Sequence, residues 1–351
     1  MNDPNGNCLT PVSETLHIDD KDARFGGMTP QIVVVIPAYN ESKHIADVIA
    51  SIPSEVASVI VVDDASHDRT VDVVRQIADP RVTLIQHDSN QGVGGAVCSG
   101  YKRALALGAD IVVKVDGDGQ MDPSKIGRLI SPILYHRADY AKGARFFEAG
   151  ALRQMPIARL IGNLGLSFVT KVVSGYWNVM DPANGFTAIH RHALEQLPLD
   201  TLSRGFFFET DMLIHLYYVQ AVIADVQMPA HYGDEQSTLS PLKVLLTFPG
   251  KLTQAFIKRI LWRYFIHDFT ACSLFLVVGM LLFLGGISFG AITWIHNRIR
   301  DLITPTGTVM LAVVPLLLGF QLLLQAIVLD IQHVPKMPIH TGIAFATGRA
   351  P

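Results

Sequence analysis

From Gln31 to about Val226, short runs of β-branched residues alternate with longer stretches in which apolar residues recur at helical spacing. Ile32–Ile36, Val59–Asp63, Val82–Gln86, Ile111–Val115 and Tyr140–Lys142 predict strands, with Lys43–Ser51 and Arg69–Ala78 predicting helices between them. This alternation predicts an α/β layer with a mostly parallel sheet, covered on both faces. In such sheets ligands bind beyond the carboxyl ends of the strands, so chemistry is expected in the residues that follow each one.

The last third of the chain changes character. Thr270–Ile295 carries no charge over about 26 positions, enough at 1.5 Å per residue to cross a roughly 30 Å hydrocarbon core with some tilt. Thr308–Leu329 is a second uncharged stretch of about 22, with Pro315 as a candidate kink and Gln321 and Gln325 as polar exceptions. Two buried helices of a soluble core are the alternative, although soluble helices rarely run so long without a charge. With the polar loop His296–Gly307 between them, the pair predicts a membrane hairpin. Upstream, Pro241–Asp268 interleaves Lys243, Lys251, Lys258, Arg259 and Arg263 with bulky apolar residues including Trp262. That pattern suits amphipathic helices at a bilayer interface, an ordinary surface helix being the alternative. These cations outnumber Arg298 and Arg300 of the loop, which places the large domain and the C-terminus in the cytoplasm. Residues 1–30 lack the apolar core of a signal peptide and are expected to form a flexible tail. The predicted organisation is tail 1–30, α/β domain 31–235, juxtamembrane helices 236–268, two membrane helices 269–331 and C-terminal tail 332–351.

Composition agrees with a lipid-embedded portion. Of 351 residues only 17% are charged and 49% are hydrophobic, with mean hydropathy +0.32, where a soluble protein carries about 25% charge. A net charge of −3 gives no electrostatic reason to expect nucleic acid. Cys8, Cys98 and Cys272 are scattered, without a CxxC pair, which suits a reducing compartment and gives none of them a catalytic look.

Three clusters follow strands. In Pro37-Ala38-Tyr39-Asn40-Glu41 the proline stiffens a turn, Tyr39 offers a flat face to a base and Glu41 can accept from a hydroxyl; a plain strand-to-helix turn is the alternative. In Asp63-Asp64-Ala65-Ser66-His67-Asp68 two adjacent carboxylates end a strand, a costly arrangement unless used. Asp64 could accept from a base N–H or a ribose hydroxyl, Asp68 suits a helix cap, and His67 an exposed turn. In Asp116-Gly117-Asp118-Gly119-Gln120 two carboxylates one residue apart end an apolar strand between glycines that permit tight turns. Hard oxygen ligands so placed suit Mg²⁺ or Mn²⁺ shared with a diphosphate. Gly92-Val93-Gly94-Gly95 departs from the dinucleotide spacing, with Val97 at its third position, and is expected to serve close helix packing.

In this order the clusters resemble the GT-A (Rossmann-like) glycosyltransferases of family 2, from about Val33 to Ser237, and most of all the dolichyl-phosphate mannose and polyprenyl-phosphate glucose synthase branch. The resemblance implies that Pro37, Tyr39 and Glu41 form the nucleotide-binding turn and that Asp64 contacts the base. Asp116, Gly117, Asp118 and Gln120 fall on its DxDxQ metal motif, with Asp116 on the metal or the ribose. Gly143-Ala144-Arg145 resembles its GSR segment, so Arg145, with Arg159 one helix on, is a candidate phosphate ligand. Asp181-Pro182-Ala183-Asn184-Gly185-Phe186 resembles its D-x-x-SGF block, with Asn184 replacing Ser, and Gly205–Asp211 its GF-x-F-(D/E)-T-(D/E) segment. Read without the family, Asp181 could be a helix cap and Glu209 a buried partner of a nearby arginine. Tyr232–Ser237 resembles a mobile loop that closes over the donor, with Gln236 where a lysine is common and Ser237 beside it. The QxxRW motif of processive synthases is absent. What this implies is inverting transfer from a nucleotide-sugar, UDP ahead of GDP, to a polyprenyl phosphate at the bilayer, aided by Mg²⁺ or Mn²⁺. A lipid-linked glycan or lipid head group as acceptor, and an inactive sugar-nucleotide-binding scaffold, are the rivals; intact Asp116, Asp118 and Gln120 speak against the scaffold. Neither the sugar nor the oligomeric state is written in the sequence, and a homo-oligomer is compatible with it.

Overall fold

The computed structural model describes residues 29–144, 157–182, 184–205, 207–228 and 241–341. In chain order these form β1 (Ile32–Ala38), α1 (Ile45–Ala50), β2 (Ser58–Asp63), α2 (Thr70–Gln76), β3 (Val82–Gln86), α3 (Val93–Ala106), β4 (Ile111–Lys114), α4 (Ile126–Leu134) and β5 (Tyr140–Ala144). There follow α5 (Ile157–Ser174), β6 (Thr187–His190), α6 (Arg191–Glu195), α7 (Phe208–Tyr218), β7 (Ile223–Gln227) and α8 (Pro241–Leu261). A π-helical turn (Trp262–His267) then leads into α9 (Ala271–Ile299) and α10 (Thr306–Gln332).

The strands make one seven-stranded sheet in the order β3-β2-β1-β4-β6-β5-β7. Pairing is parallel except on both sides of β6, which runs antiparallel to β4 and β5. Strand alternation divides the core into two layers. Val33 and Val35 of β1, with Ile60 and Val62 of β2, pack under α3 and α7. Val34 and Ile36, with Val59 and Val61, pack under α1 and α4. On α4 the buried residues Ile126, Leu129, Ile130, Ile133 and Leu134 recur at one helical face. Each such side chain contributes roughly 1.5–3 kcal/mol by leaving water, so the carboxyl ends of β1, β2 and β4 sit on a rigid platform.

The expected strands are present, β3 at its expected bounds and each of the others with one end shifted by one or two residues. Sequence periodicity did not single out β6 or β7. Both expected apolar helices form, and each is longer than its uncharged stretch. Helix α9 runs on to Ile299, so the connecting loop is shorter than His296–Gly307, and α10 passes through Pro315. Both are long and apolar enough to cross a membrane, and only 11% and 17% of their most apolar windows are buried, unlike helices of a soluble core. They pack closely where a side chain would not fit: a Cβ at Gly319 would lie 2.4 Å from the Phe283 nitrogen. After α10 the chain does not leave as a tail. It returns to the α/β domain, where the backbone N–H of Ile339 and the His340 ring, Nδ1 2.8 Å away, meet the Asp139 carboxylate. The segments expected at 1–28, 145–156, 229–240 and 342–351 lie outside the described residues.

Candidate active site

The turns after β1 and β2 are tied side by side. Asn40 takes a left-handed conformation (φ 61°); its N–H donates to Ser66 Oγ, and its side-chain oxygen accepts from the His67 N–H, both at 2.9 Å. Glu41 N–H donates to Thr70 Oγ1 at 2.9 Å and Ser42 N–H to Asp68 Oδ2 at 3.1 Å. Asp68 also accepts from the Thr70 N–H at the start of α2, so it serves that helix and reaches across to the neighbouring turn. Slight burial opposes its charge, yet the bonds from Thr70 and Ser42 draw its pKa down to about 2. Tyr39 is 43% exposed, its ring open apart from an edge contact with the exposed His67.

Asp63 and Asp64 are both buried. Asp64 accepts from the N–H groups of Gln91 (2.9 Å) and Gly92 (2.7 Å) and contacts His87 Nδ1 (2.7 Å). A carboxylate offers about four acceptor sites, so roughly one remains for a further donor. Gly92 is required here for two reasons. Its φ is +83°, and a Cβ would lie 2.4 Å from the Arg204 carbonyl oxygen. Gly94, whose Cβ would meet the Ser203 oxygen at 2.2 Å, completes the close seating of α3. One Asp63 oxygen accepts from the Ser66 N–H at 3.3 Å, and the other is buried without a hydrogen-bond partner among the described residues.

The third turn lies directly beside the first, since β4 pairs with β1. A Cβ on Gly117 would touch the Glu41 side chain at 3.3 Å and the Pro37 oxygen at 3.4 Å. Asp118 is half-buried and accepts from the exposed Gln120's N–H at 3.0 Å. Asp116 is held by a group that sequence reading missed. Lys114, wholly buried at the end of β4, places Nζ 2.8 Å from Asp116 Oδ1 and 2.8 Å from Glu209 Oε1. Lys142 of β5, also buried, lies 3.6 Å from the other Glu209 oxygen and donates to the Asn184 carbonyl. Burial opposes the charge on Lys114, but Asp116 and Glu209 more than reverse this and hold its ammonium well above the ordinary lysine range. At Lys142 burial prevails over Glu209 and pulls the pKa down. Burial would raise Glu209, but the two lysines keep it below the usual carboxylate range. Glu209, at the start of α7, is therefore the partner of two lysines rather than of an arginine. Gly185 leaves room for all of this, because a Cβ there would lie 2.4 Å from Asp116 Oδ2 and 2.6 Å from Lys114 Nζ.

The donor set fits a hard divalent cation. Asp116 and Asp118 offer carboxylate oxygens one residue apart, and Lys114 fixes the first of them. Among the described residues no three His, Cys, Asp or Glu side chains gather closely enough to hold a metal alone. That suits Mg²⁺ or Mn²⁺, which take one or two carboxylates and complete their shell with substrate phosphates and water. Asp181 is buried before β6. Asn184, in the place of the expected Ser, braces the segment by donating to the Gly143 oxygen (2.7 Å) and accepting from the Phe186 N–H (3.0 Å). Nearby, burial lifts the Asp225 carboxyl to about 6. Arg159 lies on α5. Arg145 and Ser237 lie outside the described residues.

The chain is similar to proteins of known family. The profile described as Glycosyl transferase family 2 matches residues 33–198. A UDP-N-acetylglucosamine–dolichyl-phosphate N-acetylglucosaminyltransferase of Methanococcus voltae is 36% identical over 181 residues, 47% of this chain and 72% of that protein. An undecaprenyl-phosphate mannosyltransferase of Micrococcus luteus is 30% identical over 187 residues, 52% of this chain and 76% of its own. Among solved structures, glucosyl-3-phosphoglycerate synthase of Mycobacterium tuberculosis overlaps 66% of this chain and 80% of its own, with 22% identity and a TM-score of 0.47.

Proposed function

This chain belongs to glycosyl transferase family 2, and from that premise we propose that it moves a sugar from a nucleoside-diphosphate sugar, UDP ahead of GDP, to a polyprenyl phosphate at the cytoplasmic membrane face. The observation that carries this is the meeting of the Pro37–Glu41 turn, Asp64 and the Asp116–Asp118 pair at the carboxyl ends of three adjacent strands, in a domain that ends in two long apolar helices. The names of the relatives from Methanococcus voltae and Micrococcus luteus, each a transferase to a prenyl-type phosphate, support the acceptor class.

In the proposed reaction an acceptor phosphate oxygen attacks C1 of the sugar from the face opposite the leaving group. The C1–O bond to the diphosphate breaks, its electrons go to the nucleoside diphosphate, and the anomeric configuration inverts. Tyr39 and Asp64 hold the nucleoside, with Pro37 and Glu41 shaping that turn and Ser237 in a loop over the donor. Asp118 and Gln120, with Gly117 in the same turn, would hold the cation, and Asp116 the cation or the ribose. A Mg²⁺ or Mn²⁺ held there would supply positive charge against the leaving diphosphate. Arg145 and Arg159 hold phosphates against mutual repulsion. A phosphate monoester has a second pKa near 6, so the acceptor is largely dianionic at about pH 7 and needs placing rather than deprotonating. Asp181 then orders the segment before β6 and is not an indispensable base.

Topology follows the same reading. Before the hairpin Arg259 reaches the α5 backbone, and after it Ile339 and His340 reach Asp139. Both ends of the hairpin thus touch the catalytic domain, which supports one membrane face for the domain and for the chain after α10. The organisation proposed is a tail to residue 30, a GT-A domain over 31–235, juxtamembrane helices over 236–268, two membrane helices over 269–331 and a C-terminal segment from 332. The test is incubation of purified protein with a panel of nucleotide-sugars, Mg²⁺ or Mn²⁺ and a polyprenyl phosphate, with mass analysis of the lipid. A lipid gaining one hexose-class sugar on its single phosphate is expected. No lipid product with any donor, or equal yield in excess EDTA, refutes the acceptor or the metal assignment respectively.

A further inference from the structure

Asp330 is the single charged residue of α10, and it is buried on a helix whose apolar side chains mostly face outward. Three donors from separate parts of the chain meet on it. Arg259 of α8 makes a two-pronged contact, Nη1 to Oδ1 at 2.7 Å and Nη2 to Oδ2 at 3.1 Å. Tyr264, in the π-helical turn, donates its hydroxyl to Oδ1, and Trp177, just after α5, donates Nε1–H to Oδ2 at 3.0 Å. Arg259 also donates to the Val172 carbonyl of α5 at 2.9 Å and lies 5.3 Å from the centre of the Tyr217 ring of α7. The catalytic domain is hollowed to admit it: Gly175 has φ +84°, and a Cβ there would lie 2.8 Å from Arg259 Nη1 and 2.7 Å from Tyr217.

A buried ion pair is weak as a source of stability, because desolvation offsets its attraction, and its best-attested use is to fix register. Apolar contacts between a domain and a bilayer-anchored helix would tolerate sliding. A carboxylate whose oxygens are filled by a guanidinium, a phenol and an indole has one arrangement.

We propose that Asp330 and Arg259 are positioning residues that set the height and tilt of the catalytic cleft over the bilayer, so that a lipid-borne phosphate meets the bound donor. This rests on reading α9 and α10 as bilayer-spanning and the acceptor as membrane-borne. Neither residue belongs to the candidate site described above. Full-length protein carrying Cys8→Ser and a dye at Ser54→Cys, an exposed site, is reconstituted in phosphatidylcholine vesicles with a head-group dye, and energy transfer gives the domain-to-bilayer distance. A narrow distribution is expected for the parent and a broad one for Asp330→Ala. Transfer is then compared between a long-chain polyprenyl phosphate in the bilayer and a water-soluble short-chain prenyl phosphate. In Asp330→Ala, kcat/KM for the bilayer acceptor should fall by at least about tenfold, with donor KM unchanged and the soluble acceptor within about twofold. Trp177→Phe, which removes one hydrogen bond, should show a smaller loss of the same kind and covers the case in which Asp330→Ala does not fold. An unchanged distance distribution, no loss, or equal loss on both acceptors overturns the proposal. If the parent glycosylates neither phosphate while the distance still broadens in the variant, the acceptor assignment fails and the positioning role stands.

Discussion

Replacing Lys114 with methionine separates the ionic framework under the candidate metal site from the site itself. Methionine retains most of the apolar stem and removes the ammonium that lies 2.8 Å from both Asp116 and Glu209. Two carboxylates then share a buried space, with Lys142 left 3.6 Å from Glu209 and its own charge disfavoured by burial. Breaking a buried pair by removing one partner costs about 3–5 kcal/mol. For a domain of this size that is a fall in unfolding midpoint of roughly 6–20 °C, at about 2–4 °C per kcal/mol. The pH dependence has a definite sign. Glu209 is now held below the usual carboxylate range by its lysines. Without Lys114 its folded pKa rises above the unfolded value, so the variant is least impaired below that value and loses stability as pH increases through the raised pKa. Unfolding of the detergent-solubilised proteins at pH 5.5 and pH 8 measures both effects. A methionine variant as stable as the parent at pH 8, or one no less impaired at pH 5.5, refutes the assignment of Lys114 as the counter-charge of this site.

Asp118→Ala should lower kcat/KM at least about a hundredfold, roughly 2.7 kcal/mol at the transition state, and weaken Mn²⁺ binding in the presence of nucleoside diphosphate by calorimetry. Gly185→Ala should mimic an Asp116 lesion without replacing a carboxylate, because its new Cβ falls 2.4 Å from Asp116 Oδ2; activity within about twofold of the parent would contradict that geometry. His190 is buried against His340, at 4.4 Å between ring centres, and burial, with the neighbouring His340, His192 and His136, pulls its pKa down to about 2. Neutral in the folded protein and protonated in the unfolded chain below about pH 6.5, it contributes stability that is lost as pH falls, roughly 1.4 kcal/mol by pH 5.5. Unfolding midpoints against pH should therefore show a slope that His190→Gln reduces.

Local pattern carried the parallel half of the sheet, because β1, β2 and β4 bury both faces and read as apolar runs, while the half-buried edge strand β3 is short and rich in β-branched residues. β6 escaped for the opposite reason. Its four residues, Thr187–His190, are too few to show a period, and only its neighbours β4 and β5 make it a strand. Hydropathy placed both apolar helices but not their ends, since it reports contact with lipid whereas a helix continues as long as its backbone bonds do. The uncharged stretch stops at Leu329 because Asp330 is charged, and the membrane pair was expected to end at 331, yet α10 continues to Gln332 with that carboxylate buried.

The site divides along the same physical line. Turn chemistry is local, so Pro37–Glu41, Asp64 and Asp116–Gln120 could be picked out by type and spacing. The charges that hold those residues are not local: Lys114 meets Glu209 across 95 positions, and Arg259 meets Asp330 across 71. A lysine alone in a sequence reads as a solvated surface group, since an unpaired buried ammonium is prohibitively costly. The available signal was positional. Lys114 ends a strand whose other residues are all apolar, and Lys142 lies within another, places where a charge survives only with a partner. The same argument run forward gives Glu209 its meaning. It is the carboxylate that lets two buried lysines exist, and through Lys114 it fixes where Asp116 stands before any nucleotide arrives.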